Sequence, residues 1–276
     1  MSTAAPGIDA LVRELLEARA SGAAVAVPPS EGEGGFTLDA AYAVEAELTR
    51  RRRAGGRTVV GRKVGYANKA VWRALKLQTL VWANMYDDTV HVAGRNAGTF
   101  AMSGRHAPRI EPEIVFKLKD GLPSEGGSHG EGGNVLDHVE WMALGFEIVD
   151  APFPGWKFQP ADFVASFGLH AALIVGEPRP IQAGDADALA SFKLRLSRNG
   201  ELVEEGAGKN ALKSPALCLA ELASAIAARP GAEPLQPGDL ISTGTLTAAQ
   251  PINAGERWSA QTDGIELGPV VVDVSS

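Results

Sequence analysis

The sequence predicts an α+β protein, with a helical N-terminal part followed by a part rich in strands. Apolar residues recur at helical spacing before Gly22 and again after Thr37, a residue type that favours helix N-caps. From about residue 100, short apolar runs alternate with glycine and proline, which is typical of strands and turns. We therefore expect an N-terminal α/β part over residues 1–100 and a C-terminal domain over residues 101–276.

The N-terminal part reads as two helices, a strand and a short third helix. The first helix ends at Gly22, and the loop VPPSEGEGG separates it from the second. The second helix begins after Thr37 and ends near the basic run RRRR, because cations favour the last turn of a helix. The segment TVVGRKVGY is typical of a strand and turn, and Asn68 to Leu77 of a short helix.

The C-terminal part contains five strand candidates, which read IVFKLKD, MALGFEIVD, AALIVGE, SFKLRLS and ELVEEG. Asn199-Gly200 predicts a hairpin turn between the last two. Ser214-Pro215 predicts a helix start, and a further strand, LISTGTL, follows that helix. The glycine-rich segment over residues 124–134 is expected to form a surface loop or a mobile lid.

Composition excludes several classes of protein. Of the 276 residues, 45% are hydrophobic and 21% charged, as in an ordinary soluble globular protein. The net charge of -7 argues against general attraction to nucleic acid or anionic membranes. The single cysteine, Cys218, excludes an intramolecular disulfide and a thiolate metal cluster. Since no segment approaches the ~18 apolar residues of a membrane span and no signal peptide is evident, we expect a cytoplasmic protein.

Two glutamates stand one residue apart in the apolar run RIEPEIVFKL. In a strand, Glu111 and Glu113 point to the same face. Burying two like charges is costly unless a cation or several hydrogen-bond donors hold them. The alternative is an edge strand whose glutamates reach water, with Pro112 marking the edge.

A third carboxylate favours the buried interpretation. Glu147 lies between Phe146 and Ile148 in another apolar run, ALGFEIVD. Three carboxylates in two buried strands offer the oxygen ligands that a hard divalent cation prefers. Asp150, which ends the same run, is an alternative third ligand.

Several motifs together resemble the fumarylacetoacetate hydrolase superfamily. These motifs are RIEPEIVFKL, GFEIVD followed by WKF, and PGDLISTGTLT. The stretch GRKVGY narrows the resemblance to the branch of 2-keto-4-pentenoate hydratases and 4-oxalocrotonate decarboxylases. The resemblance implies a C-terminal catalytic domain with the mixed β-roll of that superfamily. It also implies a Mg²⁺ or Mn²⁺ site and assembly into homo-oligomers.

The same resemblance assigns roles to individual residues. It places the metal carboxylates on Glu111, Glu113 and Glu147, the active-site lysine on Lys63, and a catalytic aspartate on Asp162. From the residues alone, Lys63 could equally be an exposed lysine in a turn. Asp162 could instead cap the helix that begins near residue 160.

One segment departs from the family pattern. The family usually reads D-T-V-A-D-N-A-S, whereas this chain has DFVASFGLH after Lys157 and Phe158. Asp162 is kept, but Phe167 replaces an amide that could bind substrate or water. We therefore expect its ring to enter the pocket and to favour an apolar substrate tail over a second carboxylate.

Three further residues enter the prediction. Thr245, in the turn GTLT, could bind a substrate carboxylate together with backbone N–H groups, or simply end a strand. Trp156 is expected to border the pocket. His170 alternates with apolar neighbours, so we expect a buried core histidine whose hydrogen bonds are satisfied.

The resemblance implies a metal-dependent hydratase that adds water to a 2-hydroxy-2,4-dienoate, giving a 4-hydroxy-2-oxo acid in the catabolism of aromatic compounds. A 4-oxalocrotonate-type decarboxylase would need a second anion-binding group, for which Arg62, Arg105 and Arg109 are candidates. A carbon–carbon hydrolase is a further alternative, although the H-x-x-E dyad of some superfamily hydrolases does not occur in the sequence. The three carboxylates argue against an inactive assembly partner.

Overall fold

The helices and strands were located in a computed structural model, which describes residues 6–32, 35–122 and 133–276. The helices are α1 (Pro6–Ser21), α2 (Leu38–Ala54), α3 (Lys69–Trp72), α4 (Gly133–Leu136), α5 (Pro160–Ala165), α6 (Asp185–Ser191) and α7 (Pro215–Ala227). The strands are β1 (Val59–Gly65), β2 (Val81–Tyr86), β3 (Val90–Val92), β4 (Ala97–Ala101), β5 (Arg109–Leu118), β6 (Val139–Val149), β7 (His170–Val175), β8 (Arg179–Pro180), β9 (Lys193–Arg198), β10 (Glu201–Ala207), β11 (Leu240–Ser242), β12 (Gln250–Pro251), β13 (Arg257–Asp263) and β14 (Val270–Ser275). The predicted α+β class is confirmed.

The strands form two mixed sheets. The larger, nine-stranded sheet has the order β2-β1-β11-β5-β6-β7-β3, with β12 beside β5 and β8 beside β6. The five-stranded sheet has the order β10-β9-β13-β14-β4. Early and late strands pair in both sheets, since β1 lies parallel to β11 and β4 parallel to β14. The predicted division at residue 100 therefore does not coincide with a break between the sheets.

The predicted local signals have the expected structures. The Thr37 side chain accepts a hydrogen bond from the Ala40 N–H, and α2 follows. The Ser214 side chain caps α7 in the same way. Asn199 and Gly200 have φ values of 53° and 86° and join β9 to β10, because a tight hairpin turn needs two left-handed residues. The third helix is shorter than predicted and ends at Trp72.

Strand β2 was missed because pattern reading depends on alternation. All of its residues, Val81–Tyr86, are buried, so polar and apolar side chains do not alternate along it.

The glycine-rich segment predicted as a loop or lid lies outside the described residues, except for Gly133 and Asn134 at the start of α4. None of the described helices is both long and apolar enough to cross a membrane.

Candidate metal centre and adjoining cavity

The register of two central strands brings three glutamates together. Strands β5 and β6 are antiparallel, with Glu111 directly opposite Glu147, and Glu113 follows on the same face of β5. One carboxylate oxygen from each glutamate lies within 4.8 Å of the others. Strand β5 is paired on both sides, so the interpretation of an edge strand with exposed glutamates is wrong. Glu113 and Glu147 are fully buried, and Glu111 is half-buried.

The Glu113 carboxylate is held in place by two hydrogen-bond donors. Glu113 Oε2 accepts hydrogen bonds from Ser242 Oγ at 2.5 Å and from the Gly244 N–H at 2.9 Å. Its Oε1 has no hydrogen-bond partner among the described residues, although it is buried. Since a buried carboxylate oxygen without a partner is costly, this atom is suited to a cation.

The electrostatics of the cluster also fit a cation. Burial raises the pKa of Glu111 and the pKa of Glu113, each to about 8, and repulsion among the glutamates adds to the effect. Burial raises the pKa of Glu147 as well. Three oxygen ligands in one buried cluster match the preference of a hard divalent cation, which would allow all three to ionise.

Lys63 lies beside this cluster and is buried. It sits on β1, opposite Ser242 of β11, and its side chain is only 2% exposed. Its Nζ lies 2.9 Å from Glu147 Oε2 and 4.8 Å from the centre of the Phe163 ring. Burial alone would lower the pKa of Lys63, but the attraction of the three glutamates outweighs burial and raises it. The alternative of an exposed lysine in a turn is therefore wrong.

A left-handed turn packs against Lys63. Phe167, Gly168 and Leu169 have φ values of 57°, 60° and 57°. A Cβ atom on Gly168 would lie 2.6 Å from Cδ of Lys63 and 2.8 Å from Cβ of Ala83. Glycine is needed here because the backbone comes so close to the lysine side chain.

The same turn directs Phe167 away from the glutamates. Its ring packs edge-on against Tyr86, with centroids 6.4 Å apart, and the Arg19 guanidinium lies 4.6 Å from its centroid. The ring does not enter the cavity beside Glu111, contrary to expectation, and Leu169 is the turn residue that lines it. Helix α5 ends at Ala165, and the left-handed turn that follows changes the side-chain directions.

His170 contacts the cluster directly. Its Nδ1 lies 2.8 Å from Glu147 Oε1, and its Nε2 lies 3.0 Å from Thr89 Oγ1. The histidine is buried and satisfied, as expected, but sequence reasoning missed that its partner is a candidate metal ligand. A bulge shifts the pairing of β6 and β7 so that His170, rather than Ala171, lies opposite Val149. Nothing in the alternation of the sequence reveals a bulge.

Asp162 lies at the first turn of α5 and has protein partners at both oxygens. It accepts hydrogen bonds from the Gln159 N–H at 2.8 Å, from the Ser30 N–H at 2.7 Å and from Ser30 Oγ at 2.5 Å. It does not line the cavity beside the glutamates. Its position is that of a helix cap, which also holds the segment after α1 against α5.

A cavity of about 460 Å³ opens beside Glu111. Lys63 is the one cationic side chain in its described lining. Besides Glu111, the remaining polar side chains are Tyr66, Asn68, Glu204, Asn210, Thr245 and Thr247, and the apolar ones include Val71, Val149, Trp156, Phe158, Phe163 and Leu169. The structure thus brings Lys63, Glu111, Trp156 and Thr245 to one cavity. The Thr245 hydroxyl donates to the Thr247 carbonyl at 2.8 Å, which fixes the turn.

Other candidates from the sequence lie elsewhere. Asp150 accepts hydrogen bonds from the backbone N–H groups of His106 and Ala107 and is not part of the glutamate cluster. Arg62, Arg105 and Arg109 do not line the cavity. Arg109 stacks on Trp156, with its guanidinium carbon 4.1 Å from the ring centre.

Comparisons with known proteins agree with the geometry. The family model for the fumarylacetoacetate (FAA) hydrolase C-terminal region matches residues 61–274. A 2-hydroxyhexa-2,4-dienoate hydratase of Comamonas testosteroni is 29% identical over 86% of this chain and 87% of its own length. A 2-keto-4-pentenoate hydratase of Paraburkholderia xenovorans is 31% identical over 92% of this chain and 90% of its own.

A solved structure shares almost the entire fold. The 4-oxalocrotonate decarboxylase of Pseudomonas putida G7, complexed with magnesium and adipate, superposes with a TM-score of 0.86. It is 26% identical, and 99% of each chain is covered. This chain is accordingly a member of the fumarylacetoacetate hydrolase family, in the branch that contains the 2-keto-4-pentenoate hydratases and the 4-oxalocrotonate decarboxylases.

Proposed function

We propose that the protein is a divalent-metal-dependent hydratase that adds water to a 2-hydroxy-2,4-dienoate and yields a 4-hydroxy-2-oxo acid. The observation that carries this proposal is the lining of the cavity beside Glu111. It offers one cation, Lys63, close to the glutamates, and an apolar wall that includes Trp156, Phe158 and Leu169. Such a cavity suits a substrate with a single carboxylate and an apolar tail, because an apolar wall cannot compensate a second charge.

Glu111, Glu113 and Glu147 would hold the cation, and we propose Mg²⁺ or Mn²⁺ because the donor set consists of oxygens. A divalent cation bound there supplies positive charge that stabilises an enolate oxygen of a 2-oxo acid. Ser242 and Gly244 fix the Glu113 carboxylate, and His170 fixes that of Glu147. The ligand oxygens therefore need little rearrangement on binding.

Lys63 would bind the carboxylate of the substrate. Its Nζ is at the same time close to Glu147 and part of the cavity lining. An ammonium in this position orients the reacting end of the substrate towards the glutamates. Thr245 and Asn210 line the cavity too and can make hydrogen bonds to polar parts of the substrate. The apolar residues of the lining would exclude bulk water from the carbon chain of the substrate.

Decarboxylation is the second candidate. The related decarboxylase was solved with adipate, which carries two carboxylates. A second carboxylate on the substrate of this chain would need a second cation, and the described lining provides none besides Lys63. We therefore favour hydration, and place the enzyme in the catabolism of aromatic compounds, as a homo-oligomer, by analogy with its relatives.

Product analysis tests the proposal. The protein is mixed with Mg²⁺ or Mn²⁺ and with 2-hydroxydienoates whose tails end in hydrogen, methyl or carboxylate. We expect water addition, and a kcat/KM for the methyl substrate at least about tenfold above that for the dicarboxylate, the size expected for a charge facing an apolar wall. Release of CO₂ from the dicarboxylate as the preferred reaction would show that the decarboxylase alternative is correct.

Calorimetric titration with Mn²⁺ tests the metal site separately. Glu113→Ala removes a ligand that two donors hold in place, so its affinity for Mn²⁺ should fall by more than about 100-fold, beyond the loss typical for groups that only support a ligand. The matched control is Glu140→Ala, an exposed glutamate on β6. Equal Mn²⁺ affinity of Glu113→Ala and wild type would contradict the assignment.

A further inference from the structure

A second cavity lies on the other face of the large sheet. Lys63 and Arg62 are neighbours on β1, so their side chains point to opposite faces. Arg62 lines a cavity of about 780 Å³. The sheet contributes Trp82 and Asn84 of β2 to this cavity, and α2 contributes Tyr42 and Glu45. None of these residues belongs to the glutamate site.

The Arg62 guanidinium is buried without a carboxylate partner. The residue is 3% exposed, and among the described residues its Nη1 donates only to the neighbouring Gly61 carbonyl, at 3.2 Å. Its Nε has no hydrogen-bond partner, and no carboxylate of the described residues lies within 4.0 Å. A buried guanidinium in this situation favours an incoming anion, because pairing recovers the free energy lost on desolvation.

Asn84 provides an unused acceptor next to this cation. It is the direct cross-strand partner of Arg62 and is 6% exposed. Its Nδ2 donates to Thr49 Oγ1 at 2.8 Å, while its Oδ1 is buried and has no partner in the part of the chain that the structure describes. Side chains directly opposite each other on neighbouring strands have Cβ atoms about 4.5–5.5 Å apart. The neighbouring strand therefore offers an unused acceptor to a ligand that pairs with Arg62.

The other arginines of the lining already have acidic partners. The pairs are Arg53 with Glu233 at 2.6 Å, Arg229 with Asp39 at 3.0 Å, and Arg50 with Glu47 at 2.7 Å. Glu45 is the remaining acid of the lining; its Oε1 accepts from the Asn84 N–H at 3.3 Å and from Thr49 Oγ1 at 3.2 Å. Arg62 is therefore the cation of the described lining that is left for a ligand.

Aromatic rings form part of the wall. The rings of Tyr42 and Trp82 have centroids 4.9 Å apart, and the Arg62 guanidinium carbon lies 5.6 Å from the Trp82 ring centre. A flat apolar body can pack against such a pair while its carboxylate meets Arg62.

We infer that this cavity binds a small aromatic carboxylic acid with a hydroxyl or ammonium group next to its carboxylate. The carboxylate pairs with Arg62, the adjacent donor meets Asn84 Oδ1, and the ring packs against Tyr42 and Trp82. The inference does not depend on the reaction proposed above, because the two sites share no residue.

Calorimetric titration of the full chain tests this inference with three probes. Salicylate carries a hydroxyl beside its carboxylate, L-phenylalanine an ammonium, and benzoate neither. We expect salicylate or L-phenylalanine to bind at least tenfold more tightly than benzoate, and the one that binds identifies the donor. The titrations are made without divalent metal, so that the glutamate site does not contribute.

Variants locate the binding. Ala46 is exposed on α2 and lines the cavity, so Ala46→Trp should fill the entrance and abolish binding without disturbing the buried polar groups. Ala54→Trp, on the same helix but outside the lining, should bind like wild type. Arg62→Met should weaken binding at least tenfold.

Three outcomes would overturn the inference. The first is the absence of binding by all three probes, and the second is equal binding by wild type and Ala46→Trp. The third is a change in subunit number caused by Ala46→Trp, measured by light scattering, which would mean that a second copy of the chain covers this cavity.

Discussion

The two buried cationic side chains of β1, one on each face, have opposite electrostatic surroundings. Lys63 and Arg62 are adjacent and almost equally buried, yet Lys63 pairs with Glu147 at 2.9 Å beside two further glutamates, whereas Arg62 has no carboxylate within 4.0 Å among the described residues. Once all three glutamates are ionised, they and the ammonium leave two negative charges, which one divalent cation would neutralise. On the other face, one positive charge is left. The charge that remains on each face thus indicates the kind of ligand that it suits.

The largest effect is expected from removing the cation on the glutamate face. Lys63→Met should lower kcat for the preferred dienoate by about 10²–10³-fold, because a positioned charge at the reacting end of the substrate is lost. Steady-state kinetics at saturating Mg²⁺ measure it. Lys119→Met, an exposed lysine after β5, is the control and should retain the wild-type kcat. Similar kinetics for both variants would remove Lys63 from the mechanism.

Removing the side chain that orients a candidate metal ligand should have a smaller effect than removing Lys63. His170→Ala removes the side chain that holds Glu147 Oε1 at 2.8 Å. We expect affinity for Mn²⁺ to fall about 10- to 100-fold, the usual cost of losing a group that orients a ligand. Calorimetry would measure it beside His91→Ala, an exposed histidine on β3. If both variants bind Mn²⁺ like wild type, His170 serves packing only.

A smaller effect, on stability, is expected at the left-handed turn of residues 167–169 that packs against Lys63. Gly168→Ala should combine about 1–2 kcal/mol of left-handed backbone strain with about 1–3 kcal/mol of overpacking against Lys63 and Ala83. Gly155→Ala is the matched control, because Gly155 has φ of 64° and open space around its Cβ position. Urea denaturation should therefore show a greater loss for Gly168→Ala. Equal losses would mean that Lys63 moves aside freely.

The smallest effect is expected at the cation without a partner. Arg62→Met replaces a desolvated charge by an apolar side chain of similar length, so the free energy of unfolding should change by less than about 1 kcal/mol. Urea denaturation of the ligand-free protein measures it. A loss of 3 kcal/mol or more would show that the more distant Glu45, Asp239 and Glu233 already balance this charge.

The glutamate cluster could be predicted from the sequence because it depends on regular strands. Alternation places Glu111 and Glu113 on one face, and only the register of β5 with β6 was needed to add Glu147. The same alternation separates Arg62 from Lys63, although Arg62 was considered as an anion-binding group for the active site. Adjacent residues of one strand do not share a face.

The surroundings of the cluster could not be predicted, because they depend on irregular backbone. His170 reaches Glu147 through a bulge, and Phe167 turns away from the cavity in a left-handed turn that L-residues seldom adopt. Both features depart from the regular alternation and helical spacing that a sequence pattern can reveal. The apolar wall of the cavity beside Glu111 therefore includes Leu169, Trp156 and Phe158 but not Phe167.

The pairing of β1 with β11 and of β4 with β14 has a consequence for synthesis of the protein on the ribosome. Glu113 and Lys63 are translated early, but Ser242 and Gly244, which hold Glu113, are translated nearly at the end of the chain. Contacts so distant in sequence form slowly and only after the intervening chain is available. We therefore expect Glu113 to lack its hydrogen-bond donors in nascent chains. The candidate metal centre should form only after the chain is released.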